Sequence, residues 1–216
     1  MTELGRLITF EGGEGAGKST QIRHLGAMLA GAGLEVVNTR EPGGTEGAEA
    51  IRSLVTEGSA DRWSPLTETL LFLAARQDHV ERLIQPALAA GRWVLCDRFI
   101  DSTRVYQGLA GTLGLDLIDR LHLTIFDDLK PDLTLLLDLP VETGLARRQA
   151  AGEANRFEKK VTDFHEAVRA GFLDLARGEP KRFSIIDAAL SEDEVAAAIE
   201  DIVTSRFARD LKVKVA

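Results

Sequence analysis

The stretch Glu11–Thr20, EGGEGAGKST, constrains this chain more than any other. It follows an apolar run, Leu7–Phe10, and precedes Ile22, Leu25 and Leu29, which recur at helical spacing. Within it, Gly12-xxxx-Gly17-Lys18-Ser19 fits the P-loop pattern, which needs a strand before it and a helix after it. Glycines in such a loop let successive backbone N–H groups turn inward and form an anion-binding nest. The start of the next helix adds unpaired N–H groups and partial positive charge. Lys18 can reach the β- and γ-phosphates of a nucleoside triphosphate, and the Ser19 hydroxyl can ligate Mg²⁺.

A length of 216 residues suits one α/β domain with a sizeable core. The net charge of −8 argues against broad nucleic-acid binding, which needs a basic face, but leaves room for a local phosphate pocket. The single cysteine, Cys96, leaves no internal disulfide and fits a reducing cytoplasm. No apolar run approaches the ~20 residues of a membrane span, and the N-terminus reads as lacking a signal peptide.

Taken in order, strands are expected at Leu7–Glu11, Glu35–Thr39, Trp93–Cys96, Leu133–Leu137 and Arg182–Ile186. Helices are expected at Lys18–Ala32, Glu46–Glu57, Leu66–Ala90, Leu113–Phe126, Val141–Gln149 and Phe157–Arg177, with a break over Gly152–Arg156. Pro86 is expected to kink the long third helix, and Ser102–Gly111 reads as loop or short helix. Ser191 with Glu194 makes a capping box for a last helix. The strands are apolar without strict alternation, as when both sheet faces are covered. The expectation is a five-stranded parallel sheet with helices on both sides, its ligands beyond the carboxyl ends of the strands. Glu11, Arg40, Asp97-Arg98, Asp138 and Asp187 all fall at those ends.

Asp97-Arg98 follows a buried strand, where an Asp can hold Mg²⁺ and an Arg can clamp a phosphate. Alone, the pair reads better as a surface ion pair at a strand end. The following FIDSTRVYQG gathers hydroxyls, an aromatic ring and an amide, which suit a polar planar ligand better than a core. Phe72 and Arg76 lie four apart on one helix face, where a ring and a guanidinium could hold a base, or could be plain core and solvated surface. Arg147, Arg148 and Arg156 flank the glycine break and read as a mobile lid or a solvated basic helix end. The four histidines show no metal-ligand spacing, and Cys96 reads as core.

Together FEGGEGAGKST, TREPGGT, LLFLAARQDHV, DRFIDSTRVYQG and PDLTLLLDL resemble the bacterial thymidylate kinase family, over nearly the whole chain. The resemblance implies a three-layer P-loop fold with a short lid at about 147–157, one domain over 1–216, homodimerisation, and Mg–ATP-dependent phosphorylation of dTMP. ATP would be held by Gly12, Gly13, Glu14, Gly15, Ala16, Gly17, Lys18, Ser19 and Thr20, and Mg²⁺ by Ser19 and Asp97. Glu14 would also contact the sugar 3′-hydroxyl. Phe72 would stack on thymine and Arg76 would donate to its O4 edge. Thr103 and Gln107 would line the base pocket, with Tyr106 beneath the sugar. Arg98 and Arg52 would hold the acceptor phosphate, and the loop around Asp187 would pack on adenine. With no arginine inside the P-loop, the lid supplies the catalytic one. Ala151 stands where that arginine is expected, which leaves Arg147, Arg148 or Arg156, with Arg148 or Arg156 favoured.

The nearest rival is a P-loop kinase for another nucleotide or nucleoside. A nucleotide-driven regulator is disfavoured, because a guanine-reading NKxD motif is absent and LLLDL lacks the Asp-Glu pair of many ATPases.

Overall fold

The computed structural model describes residues 5–59, 61–127, 129–150 and 162–212. Five parallel strands form one sheet in the order β2-β3-β1-β4-β5: β1 Leu7–Glu11, β2 Val36–Arg40, β3 Trp93–Asp97, β4 Leu133–Asp138 and β5 Phe183–Asp187. The five-stranded parallel expectation therefore holds. The register lines up the charged strand ends. Arg40 sits opposite Asp97, Asp97 opposite Phe10, and Asp138 opposite Asp187. The sheet's carboxyl edge is thus polar while the three central strands behind it, β1, β3 and β4, are buried.

Alternate strand residues face two cores. Ile8, Phe10, Leu95 and Leu135 pack with Leu25 and Leu29 of α1 (Lys18–Gly31) and with Ile199 of α9 (Glu192–Arg206). Leu7, Val94 and Cys96 pack with Leu73 of α3 (Pro65–His79) and Ile118 of α6 (Leu115–Phe126). A smaller cluster joins Val105, Tyr106 and Leu136 to Phe172 of α8 (Thr162–Gly178). Cys96 is fully buried, as core packing requires, and burial holds its thiol well above the usual range.

The helix starts follow local chemistry. Thr45 caps α2 (Glu46–Thr56), Ser64 caps α3 with Pro65 at its first turn, and Ser191 and Glu194 form the capping box of α9. The long third helix differs from a simple Pro kink. After α3 the chain widens into a π-turn, Val80–Ile84, where the Gln85 N–H bonds Val80 O, and then continues as α4 (Gln85–Ala89). Pro86 lacks an N–H and crowds the carbonyl four residues back, and the wider turn absorbs both effects. The segment after β3 is also helical: α5 (Ile100–Thr103) runs into a second π-turn, Arg104–Leu109. α7 covers Val141–Ala150 and places Arg147 and Arg148 in its last turn. The expected break at Gly152–Arg156, with Arg156 itself, lies outside the described residues. A short α10 (Ala208–Lys212) ends the described chain.

Candidate active site

β1 leads directly into the P-loop. Gly17, in the left-handed region at φ 86°, begins α1, and no side chain caps that helix. Its first N–H groups are therefore set for an anion. The Lys18 amine donates to the carbonyls of Gly13 (2.8 Å) and Gly12 (3.3 Å). Burial and the neighbouring Arg98 guanidinium hold its pKa below the ordinary lysine value. The Ser19 hydroxyl donates to Asp97 Oδ2 at 2.8 Å, so the hydroxyl and carboxylate expected to hold Mg²⁺ are adjacent.

Asp97 ends β3, and Arg98 follows it with φ 67°. The Arg98 guanidinium donates to Gly12 O (3.2 Å), Ser102 Oγ (3.1 Å) and Glu14 Oε1 (2.9 Å), and lies 5.2 Å from the Tyr106 ring centre. Burial opposes its charge, but Tyr106, Glu14 and Asp97 more than compensate and hold it firmly protonated. Glu14 also accepts from the Tyr106 hydroxyl at 3.4 Å, and Arg148 Nε lies 3.9 Å from its other oxygen. Burial alone would raise the Glu14 pKa; Arg98, Lys18 and Arg148 pull it below the usual carboxylate range.

These groups line one cavity of about 890 Å³ across the carboxyl end of the sheet. Its walls include Glu14 to Thr20, Arg52, Phe72, Arg76, Asp97, Arg98, Thr103, Tyr106, Gln107, Arg147 and Arg148. Two parts of the expected site behave otherwise. Gly12 and Gly13 do not line the wall but accept from Lys18 behind it. Asp187 also lies off the wall, where its carboxylate accepts the Ala189 N–H at 2.9 Å. Near it, Arg147 donates to Ala188 O at 3.1 Å, tying α7 to this loop.

Phe72 and Arg76 are neither plain core nor solvated surface. Phe72 is half-buried on the cavity wall. Arg76 is only 2% exposed. Its Nε donates to Glu41 Oε2 at 2.6 Å and its Nη2 to Thr103 Oγ1 at 3.0 Å, while Nη1 has no hydrogen-bond partner. Gln107 donates to Glu68 at 3.0 Å, which fixes its amide. Arg52 donates to Pro42 O at 2.6 Å. Burial and the nearby Arg40 lower its pKa, so the protein leaves its positive charge under-compensated and suited to an anion.

Several residues here escape a reading of the sequence. Glu41 is buried between Arg76 and His79, and His79 Nε2 meets the Thr39 hydroxyl at 2.7 Å. One signal does point to them: Phe72, Arg76 and His79 follow i, i+4, i+7 on α3, so all three share one helix face. Ser102, between Arg98 and Glu11, stands out in the sequence only as part of a polar run.

The family model described as thymidylate kinase matches residues 10–199. A thymidylate kinase of Caulobacter vibrioides is 57% identical over 207 residues, 96% of this chain and 99% of that protein. One from Ruegeria pomeroyi is 53% identical over 210 residues, 97% of this chain and 99% of that protein. The crystal structure of thymidylate kinase from Ehrlichia chaffeensis superposes with a TM-score of 0.76 at 32% identity, covering 92% of this chain and 98% of that one. The P-loop, the Asp97-Arg98 wall and the Phe72/Arg76 face all lie within the matched span: this chain belongs to the thymidylate kinase family.

Proposed function

We propose that this chain transfers the γ-phosphoryl group of ATP to dTMP, giving dTDP. One observation carries the choice of acceptor. Arg76 and Phe72 both line the cavity, and Arg76 Nη1 is a buried donor with no hydrogen-bond partner. A guanidinium only donates, so it suits the O4 oxygen of thymine and opposes the amino group of cytosine. Leaving such a group unpaired costs ~1–3 kcal/mol or more, enough for real discrimination.

The remaining groups divide by role. Arg98 and Arg52 hold the acceptor phosphate. Tyr106 and Glu14 bracket the sugar, and Thr103 and Gln107 complete the base pocket. The acceptor oxygen is already anionic near neutral pH, so attack in line on the γ-phosphorus needs positioning and charge neutralisation rather than a strong base. Lys18 and a lid arginine neutralise the transferring group. Arg148, on the cavity wall near Glu14, is the described candidate, and Arg156 is the other. Ser19 and Asp97 offer hard oxygen ligands side by side, which suits Mg²⁺ completed by phosphates and water. When bound, the ion supplies charge neutralisation on the β- and γ-phosphates.

We take 1–216 as one kinase domain with its lid at 147–157, acting as a cytoplasmic homodimer. Cys96, the one cysteine, is unpaired and buried, which suits a reducing compartment. Among the described residues no helix is long and apolar enough to cross a membrane. Leu66 and Leu70 of α3 and Leu123 of α6 are 45%, 49% and 56% exposed, apolar surface that a second copy could cover. The deciding experiment is a coupled ADP-release assay with Mg–ATP and dTMP, dUMP, dCMP and AMP. Preference for dTMP is expected, and equal rates on all four would refute the assignment.

A further inference from the structure

We propose that Glu11, acting through Ser102, is a positioning residue for Arg98, and so sets how the acceptor phosphate is held. This rests on the kinase reading above. Glu11 is the last residue of β1, fully buried and immediately before the P-loop. It does not line the cavity, so it touches neither substrate directly.

Arg98 is the group that needs holding. At φ 67° a residue with a side chain is strained, so the surroundings must impose the conformation. Consecutive residues of β1 impose it from both sides. The Arg98 N–H donates to Phe10 O at 2.9 Å, and the next N–H, of Phe99, donates to Glu11 Oε1 at 2.8 Å. The peptides before and after the strained residue are thus both anchored to β1.

The side chain is held by the same carboxylate at one remove. Glu11 Oε1 accepts the Ser102 N–H at 3.2 Å, and Oε2 accepts the Ser102 hydroxyl at 2.6 Å. With its proton committed to Glu11, Ser102 Oγ presents lone pairs to Arg98 Nη1 at 3.1 Å. Glu11 therefore orients the hydroxyl, and the hydroxyl orients the guanidinium toward the acceptor. A carboxylate is costly to bury, and a staple for backbone N–H groups alone would not need one. What a carboxylate adds is acceptance at both oxygens, which forces the direction of the Ser102 proton.

Glu11→Gln keeps the shape and one accepting oxygen but turns the other contact into a donor. Two donors then converge on Ser102 Oγ, and its proton loses its acceptor. Ser102→Ala removes the link while leaving β1 and the Phe99 N–H bond intact. Assayed at pH 8, above the Glu11 pKa of about 7, where both of its oxygens accept, both variants are expected to raise KM for dTMP about tenfold or more, as for loss of a charge-assisted hydrogen bond. KM for ATP should stay within about twofold, and Tm should not fall in Glu11→Gln. Calorimetric titration with dTMP should show the same weakening without turnover. The double variant should be no worse than the more impaired single one, because both changes break one chain. Unchanged dTMP affinity in both variants would overturn the proposal, as would additive losses. Absence of dTMP turnover by the unaltered protein would instead refute the kinase reading, and is seen before either variant is made.

Discussion

A methyl group placed on Gly144 would lie 2.3 Å from the Glu14 carbonyl oxygen, so α7 rests backbone against backbone on the P-loop. The contact is mutual, since a Cβ on Gly15 would lie 2.2 Å from the Gly144 carbonyl oxygen. The seat of the helix bearing Arg147 and Arg148 is therefore set by the lack of a side chain at Gly144. Gly144→Ala gains about 1 kcal/mol of helix propensity but overpacks a backbone contact at a cost of roughly 1–3 kcal/mol. The clash should win and lift α7 from the loop. The expected result is a kcat lowered by about tenfold to a hundredfold, with a smaller effect on KM for dTMP. Steady-state kinetics at saturating ATP measure it, and a wild-type kcat would show that α7 can be displaced without consequence.

Arg147 and Arg148, in the last turn of α7, point to different partners and should fail differently. Arg148 approaches Glu14 inside the cavity, whereas Arg147 donates to Ala188 O beside β5. Arg148→Ala is expected to lower kcat at least about a hundredfold, close to the range known for arginines that neutralise a transferring phosphoryl group. Arg147→Ala frees the loop after β5 and should act mainly on KM for ATP. Single-turnover rates separate the two. If Arg148→Ala keeps most of its rate, Arg148 is not the catalytic arginine, and near wild-type rates in both Arg148→Ala and Arg156→Ala would refute a lid arginine altogether.

Much of this is legible in the sequence because the P-loop, the apolar strands and the caps are local signals. GxxxxGKS fixes a strand and a helix around itself, and Ser191 with Glu194 declares a helix start. The carboxyl-edge residues follow once the strands are read as parallel. The π-turns are not legible, since Val80–Ile84 and Arg104–Leu109 depend on how Pro86 and the cavity wall are accommodated in space. Partnership is not legible either. Asp101 sits in a polar run whose composition suggests a ligand, yet it is fully buried and bound by Arg182, 81 residues distant in sequence. Nothing local announces a pair made by folding.

That pair should govern stability. Arg182 donates to both oxygens of Asp101, at 2.6 and 2.8 Å, while Arg104 links Asp101 to Glu179. The network ties α5, which carries Thr103, to the start of β5. Removing the Asp101 carboxylate leaves the Arg182 guanidinium with Glu179 as its carboxylate partner, at 2.8 Å, so the cost falls toward the low end of about 3–5 kcal/mol. Asp101→Asn should therefore shift the urea midpoint down at unchanged slope, and Arg182→Met, which leaves the fully buried Asp101 carboxylate with Arg104 at 3.3 Å as its cation, should shift it further. Equal midpoints for Asp101→Asn and the unaltered protein would show that the network is dispensable.

The buried Glu11 carboxyl makes stability depend on pH in an unusual direction. Burial first, and then Asp101, raise its pKa from an ordinary 4.5 to about 7, with Arg98 and the Ser102 and Phe99 bonds only partly offsetting them. Between those values the folded protein retains a proton that the unfolded chain releases. Stability from this group is thus full below about pH 4.5 and is lost as pH rises toward 7. The loss approaches ~3 kcal/mol, since raising a pKa by one corresponds to about 1.4 kcal/mol. Glu179 and Glu14 are displaced the opposite way, to below the usual carboxylate range, so their contributions are lost only in acid. Chemical denaturation from pH 5 to 8 should therefore favour Glu11→Gln increasingly over the unaltered protein as pH rises. Other titrating groups, common to both proteins, cancel in that difference. Parallel stability curves for the two would mean that Glu11 is charged throughout, held so by Arg98 and the Ser102 bonds.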